Sequence, residues 1–129
     1  MSTLVYAPTI TSGGGLTLLI DLIAEVKLKE LDVKFFIHEN LKEKVPSELI
    51  FELAKPGLLN RLKYEISLKR NCHNFKKLLM FCNLPPCFKL SCEVVTFVQN
   101  RLILQMHRSH YGHPKVLLRN KLLSFIFHL

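Results

Sequence analysis

Three consecutive glycines, Gly13-Gly-Gly15, stand between a short apolar run and a segment of helical periodicity, and this placement restricts the fold more than any other feature. Thr3-Leu-Val-Tyr-Ala7 is β-branched, aromatic and apolar, and it stops at Pro8, ahead of the turn-forming Thr11-Ser12. It reads as a buried strand. From Leu16 the apolar residues Leu19, Leu22, Ile23 and Val26 recur at helical spacing, with Asp21, Glu25, Lys27 and Lys29 on the other side, so a helix is predicted to about Leu31. Val33-Lys-Phe-Phe-Ile37 is a second buried strand. Strand, glycine loop, helix and strand make a βαβ unit, which demands parallel strands and a right-handed crossover.

The remainder extends that pattern. Leu49–Leu53 reads as a short edge strand before the break at Pro56-Gly57. Leu58, Leu59, Leu62 and Ile66 mark the predicted buried face of a helix running to about Arg70, with Arg61, Lys63, Lys69 and Arg70 outside it. Leu78–Cys82 and Glu93–Val98 are two further strands, and Lys115–Phe127 reads as a final helix. The expected class is α/β, a Rossmann-like parallel sheet with flanking helices, in a single domain spanning 1–129. With 129 residues and 49% apolar composition the chain can bury one core, and disorder is excluded as the main state.

Charge is unevenly spread. Residues 1–65 hold eight basic and nine acidic side chains, whereas residues 66–129 hold ten and one, so the net +8 lies in the second half. A basic half can attract nucleic acid or an anionic membrane. Phe75, Phe81, Phe88 and Phe97 fall in apolar strands or beside prolines, as core residues do, so nucleic acid is not the expected partner. A last helix carrying Lys115, Arg119 and Lys121 among leucines and phenylalanines suits an anionic membrane surface. Met1-Ser-Thr-Leu has no basic n-region, and Asp21 interrupts Leu16–Ile23, so no export signal is read and a cytoplasmic location, with peripheral contact at the inner face of the membrane, is expected. Reduced thiols are then expected at Cys72, Cys82, Cys87 and Cys92. Cys82-x4-Cys87-x4-Cys92 and His107-x2-His110-x2-His113 contain no CxxC pair, and no metal site is assigned to them.

In an open parallel sheet, ligands bind beyond the carboxyl ends of the strands where strand order reverses. Gly13, Gly14 and Gly15 could offer backbone N–H groups and a helix dipole to an anion there, or simply form a tight strand-to-helix turn. They form neither GxGxxG nor a Walker A loop. Asn83, in Asn83-Leu-Pro-Pro86, and Gln99, Asn100 and Arg101 end the later strands, where amides and a guanidinium suit hydroxyl and phosphate groups. Asn83 could equally cap a turn, with Arg101 solvated. No carboxylate pair or Ser-His-Asp order stands out, and Glu93 reads as a solvated acid.

Three stretches together carry a resemblance: Leu4-Val-Tyr-Ala-Pro8 with Ser12-Gly-Gly-Gly-Leu-Thr-Leu-Leu19, Leu79-Met-Phe-Cys-Asn-Leu-Pro-Pro86, and Val94-Val-Thr-Phe-Val-Gln-Asn-Arg101. The chain resembles the N-terminal domain of GT-B type glycosyltransferases, in the flavour found among bacterial surface-polysaccharide enzymes. That resemblance implies an acceptor-side lobe facing a second lobe across a cleft. The pair would transfer sugar from a nucleotide-sugar to a glycan or lipid-linked acceptor, with no bound cofactor. Gly13, Gly14 and Gly15 would lie near the donor phosphates and the reacting sugar. Asn83, Gln99 and Asn100 stand where many relatives have histidine or a His-Asp pair, so these residues, with Arg101, are assigned to the cleft and given no catalytic role. No two glutamates are seven residues apart, as they are in the family's donor lobe, so that lobe is expected to be absent and the chain inactive alone. The alternatives are a non-catalytic subunit that pairs with a separate donor lobe, and, as a third reading, a small basic nucleic-acid-binding protein whose affinity falls steeply with salt.

Overall fold

A computed structural model describes residues 2–82 and 85–97. Its elements follow the order β1 (Ser2–Ala7), α1 (Gly13–Leu28), β2 (Val33–His38), β3 (Ile50–Ala54), α2 (Leu58–Asn71), β4 (Phe75–Met80) and β5 (Glu93–Thr96), with 3-10 turns at Glu39–Lys44 and Cys72–Asn74. Five strands pair in parallel in the order β3-β2-β1-β4-β5. The architecture is a Rossmann-like α/β sheet. The chain moves outward from β1 through β2 to β3 and then returns to the other side of β1, so strand order reverses between β1 and β4.

β1 is the middle strand, and Leu4, Val5, Tyr6 and Ala7 are all buried. A strand covered on both faces needs an unbroken apolar run, and this one has it. Val5 and Ala7 face α1, together with Phe35 and Ile37 of β2, and meet Leu19, Ile23 and Val26 of the helix. Phe35, Leu19 and Ile37 are fully buried. Each contributes about 1.5–3 kcal/mol by leaving water. Leu4 and Tyr6 point to the opposite face with Leu78 and Met80 of β4, beneath Leu68 of α2. The register Leu4↔Leu78 and Val5↔Leu79 keeps the two faces separate, because a slip of one residue would exchange them.

α1 begins at Gly13, three residues before the predicted start, and ends three residues early at Leu28. Its end is set by Glu30, whose φ of 49° is left-handed. There Leu31 N–H donates to the Val26 carbonyl and Glu30 N–H to the Lys27 carbonyl, closing a Schellman turn. β4 likewise starts at Phe75 rather than Leu78, because the Lys76-Lys77 backbone continues the sheet beside β1 while both lysine side chains reach solvent.

α2 corrects the sequence reading. Its predicted core face is outside: Leu58, Leu59, Leu62 and Ile66 are 83%, 75%, 51% and 37% exposed. The inward face carries Arg61, Tyr64, Glu65 and Leu68, of which Glu65 and Leu68 are buried. Three contacts hold that orientation. The Tyr64 ring packs edge-on against Phe36 at 4.9 Å, its hydroxyl accepts from Lys55 N–H at 2.9 Å, and Glu65 Oε2 accepts from Cys87 N–H at 3.2 Å.

The predicted final helix Lys115–Phe127, the end of the last predicted strand at Val98, and His107, His110 and His113 lie outside the described residues. Among the phenylalanines expected in the core, Phe81 is buried, Phe75 and Phe88 are half-buried, and Phe97 is 37% exposed while stacked on Phe81 at 4.8 Å.

Candidate functional site

The carboxyl ends of β1 and β4, where strand order reverses, are the expected place for a ligand in this topology. The ladder there continues past the strands: Phe81 N–H donates to the Tyr6 carbonyl at 2.8 Å and Phe97 N–H to the Met80 carbonyl at 2.9 Å. Phe81 and Phe97 then stack with ring planes 11° apart and floor the edge with an apolar surface.

The three glycines open α1 at this edge. Ser12 precedes them in extended conformation, and its side chain makes no capping hydrogen bond. The first turn also holds no acidic residue, so the N-terminal N–H groups and the positive end of the helix dipole face outward without an internal partner from either source. The three positions have different reasons for being glycine. Gly13 has φ +71°, a conformation that costs other residues about 1–2 kcal/mol. Gly15 is buried. Gly14 has neither reason: it is exposed, its φ is not left-handed, and a Cβ built there meets nothing within 4 Å. Glycine inside a helix costs about 1 kcal/mol relative to alanine. Packing and backbone geometry of the described residues leave that cost uncompensated.

A second opening at the same edge has a volume of about 290 Å³ and is lined by Pro8 and Thr9 after β1, Lys55 and Pro56 after β3, and Arg61 and Tyr64 of α2. α2 is preceded by Gly57 at its N-cap, whose φ of 120° needs glycine, and it too has no acidic residue in its first turn. Lys55 and Arg61 give this opening a positive lining. Sequence periodicity assigns neither to a site, because Arg61 falls outside the apolar stripe of Leu58, Leu59, Leu62 and Ile66.

Near Arg61 two buried polar groups interact, the Glu65 carboxyl and the Tyr6 phenol. Burial pushes the Glu65 carboxyl above its usual range, against the opposing pull of the Cys87 N–H and Arg61. Burial likewise pushes the Tyr6 phenol up, with the Glu65 charge adding to it. The Tyr6 hydroxyl has no hydrogen-bond partner among the described residues.

Of the residues assigned from sequence, Gly13, Gly14 and Gly15 are found at the carboxyl edge as expected. Asn83, Gln99, Asn100 and Arg101 lie outside the described residues. The Cys82-x4-Cys87-x4-Cys92 series divides: Cys87 N–H donates to Glu65, while Ser91, beside Cys92, donates its N–H to Cys72 Sγ. Among the described residues no three His, Cys, Asp or Glu side chains are grouped to hold a metal ion, and no helix is long and apolar enough to cross a membrane. No protein-family model matches the chain, and comparison with curated proteins and with solved structures finds no match.

Proposed function

We propose that the chain is the acceptor-side lobe of a GT-B type glycosyltransferase, working with a donor lobe to move sugar from a nucleotide-sugar to a glycan or lipid-linked acceptor. The reading starts from the motif resemblance around Gly13–Gly15, Asn83 and Gln99–Arg101. Gly14 is the observation that carries it: a helical glycine in open space, at the edge where a parallel sheet binds ligands, is accounted for by close approach of a ligand to the backbone. In this account the free N–H groups of the first turn of α1 face the donor phosphates and the charge that develops as the sugar leaves. Lys55 and Arg61, which line the neighbouring opening, would meet an acceptor phosphate there.

α2 favours a related second reading, a non-catalytic subunit that seats a lipid-phosphate acceptor on the membrane. Its exposed stripe of Leu58, Leu59, Leu62 and Ile66 is flanked by Lys63 and Arg70, and no acidic side chain of the helix is exposed. A basic amphipathic surface of that kind suits anionic lipid.

The test is sugar transfer from UDP- and GDP-sugars to polyprenyl phosphate in anionic vesicles, with the chain alone and with a donor lobe carrying the paired glutamates. Transfer is expected only in the mixture and is expected to collapse with Gly14→Ala. Transfer at enzyme-like rates by the chain alone, or full transfer by the Gly14→Ala mixture, contradicts the primary reading. A complex that binds vesicles but transfers no sugar supports the second.

A further inference from the structure

On the sheet face that carries α2, the helix packs Leu68 against Leu4 and Tyr6 of β1 and Leu78 and Met80 of β4. Beside it, over β2 and β3, an open groove of about 620 Å³ remains. Strand register sets Leu4 beside Lys34, Tyr6 beside Phe36 and Phe36 beside Glu52, so the floor of the groove crosses three strands. The other face of β2 carries Phe35 and Ile37, both fully buried, as a face covered by protein requires. The groove face carries Lys34 and Glu52 instead, and the two side chains form an ion pair. Charged groups on the floor suit a wet opening and not an apolar face closed by another helix.

Aromatic rings and polar groups share the lining. Tyr6 and Phe36 stack at 5.2 Å with their planes 15° apart, and Tyr64 meets Phe36 edge-on at 4.9 Å. Rings held against one another in this way make a rigid apolar surface. Ser67 and Asn71 of α2 and Asn74 beyond its end are exposed along the rim. Asn71 Nδ2 donates to the Ser67 carbonyl at 2.9 Å and to Ser67 Oγ at 3.2 Å, which leaves the Ser67 hydroxyl proton and the Asn71 amide oxygen for a ligand. Glu52 adds an acceptor and Lys34 a donor, and their charges cancel.

We infer that this groove is a binding site for a short neutral saccharide. A sugar ring has C–H faces that lie on aromatic rings, and hydroxyls around its edge that both donate and accept, which amide, hydroxyl, carboxylate and ammonium groups match. The volume falls within the range of about 300–1,000 Å³ that small-molecule sites occupy. The lining holds no cation without a carboxylate partner, so a phosphate finds no charge to meet it, and a nucleotide or nucleic acid is disfavoured. The groove shares no residue with the glycine loop, so its ligand is independent of the proposed sugar transfer.

The experiment titrates the ¹⁵N-labelled full chain with maltose, cellobiose, lactose and N,N′-diacetylchitobiose, and with UMP as an anionic control. Saturable amide shifts at Lys34, Phe36, Asn71 and Asn74 are expected with at least one of the sugars, without shifts at Gly13–Gly15, and UMP is expected to leave the groove positions unmoved. Asn71→Ala is expected to weaken the sugar's binding about tenfold, the effect of losing one hydrogen bond to the ligand. Asn74→Ala, outside α2, is expected to do the same and keeps the test decisive if Asn71→Ala fails to fold. No shift with any of these sugars, shifts confined to the glycine loop, equal shifts at the groove with UMP, or undiminished affinity in the folded variants overturns the inference.

Discussion

Gly13→Ala and Gly14→Ala separate the backbone's requirements from a ligand's. In both positions a new Cβ projects into open space, with no atom of the described residues within 4 Å, so neither substitution costs packing. Their backbones differ. Gly13 sits at φ +71°, where alanine loses about 1–2 kcal/mol. Gly14 has no left-handed φ, and replacing a compatible glycine with alanine gains about 0.4–1 kcal/mol by reducing the freedom of the unfolded chain. The two variants should therefore lie about 1.4–3 kcal/mol apart on opposite sides of the wild type, equivalent to about 5–12 °C in thermal midpoint for a domain of this size. Urea unfolding followed by circular dichroism measures the difference. The functional outcome runs against the stability order: Gly14→Ala, the more stable variant, should lose nucleotide-sugar binding because its methyl group occupies the approach to the helix N-terminus. A Gly14→Ala protein that binds UDP-sugar as the wild type does, or that is destabilised, refutes this reasoning.

Other expectations follow from the same geometry. Leu62→Glu, on the exposed stripe of α2, should change stability by no more than about 0.5 kcal/mol while weakening binding to anionic vesicles, whereas Leu68→Ala should cost about 2–5 kcal/mol; denaturant midpoints that reverse this order would place the wrong face inward. Glu30→Gly should stabilise the chain by about 1 kcal/mol in thermal unfolding, because it relieves a non-glycine residue at φ 49°. Glu65 binds its proton more tightly folded than unfolded, so its contribution to stability is full below the ordinary glutamate range and is lost as pH rises through its raised folded value. Glu65→Gln should accordingly be more stable than wild type near neutrality, and urea midpoints measured between about pH 4 and 8 should fall less steeply with rising pH.

What the sequence discloses here depends on the range of the interaction that decides each element. β1, α1 and β2 are decided locally: an unbroken apolar run gives a strand covered on both sides, helical spacing of Leu19, Ile23 and Val26 gives the buried face, and both agree with the structure. Element ends are less legible because they depend on caps, and nothing in the run Lys29-Glu30-Leu31 signals a left-handed glutamate. α2 was legible as a helix but inverted in its facing. Its leucines form the more apolar stripe, yet Tyr64 and Glu65 find partners in Phe36, Lys55 and Cys87, segments up to 28 residues away whose position no periodicity encodes. The site divides in the same way. Gly13–Gly15 were identifiable because glycine is informative on its own, whereas Lys55 and Arg61 become a positive lining only once α2 has turned its arginine inward.

The proposed place of sugar transfer is the carboxyl edge at the glycine loop. It is tested most directly by titrating the ¹⁵N-labelled full chain with UDP-glucose and following backbone amide shifts. The expected result is saturable shifts centred on Gly13, Gly14 and Gly15 that vanish in Gly14→Ala. Shifts confined to the opposite end of the sheet, or none at millimolar nucleotide-sugar, would contradict it.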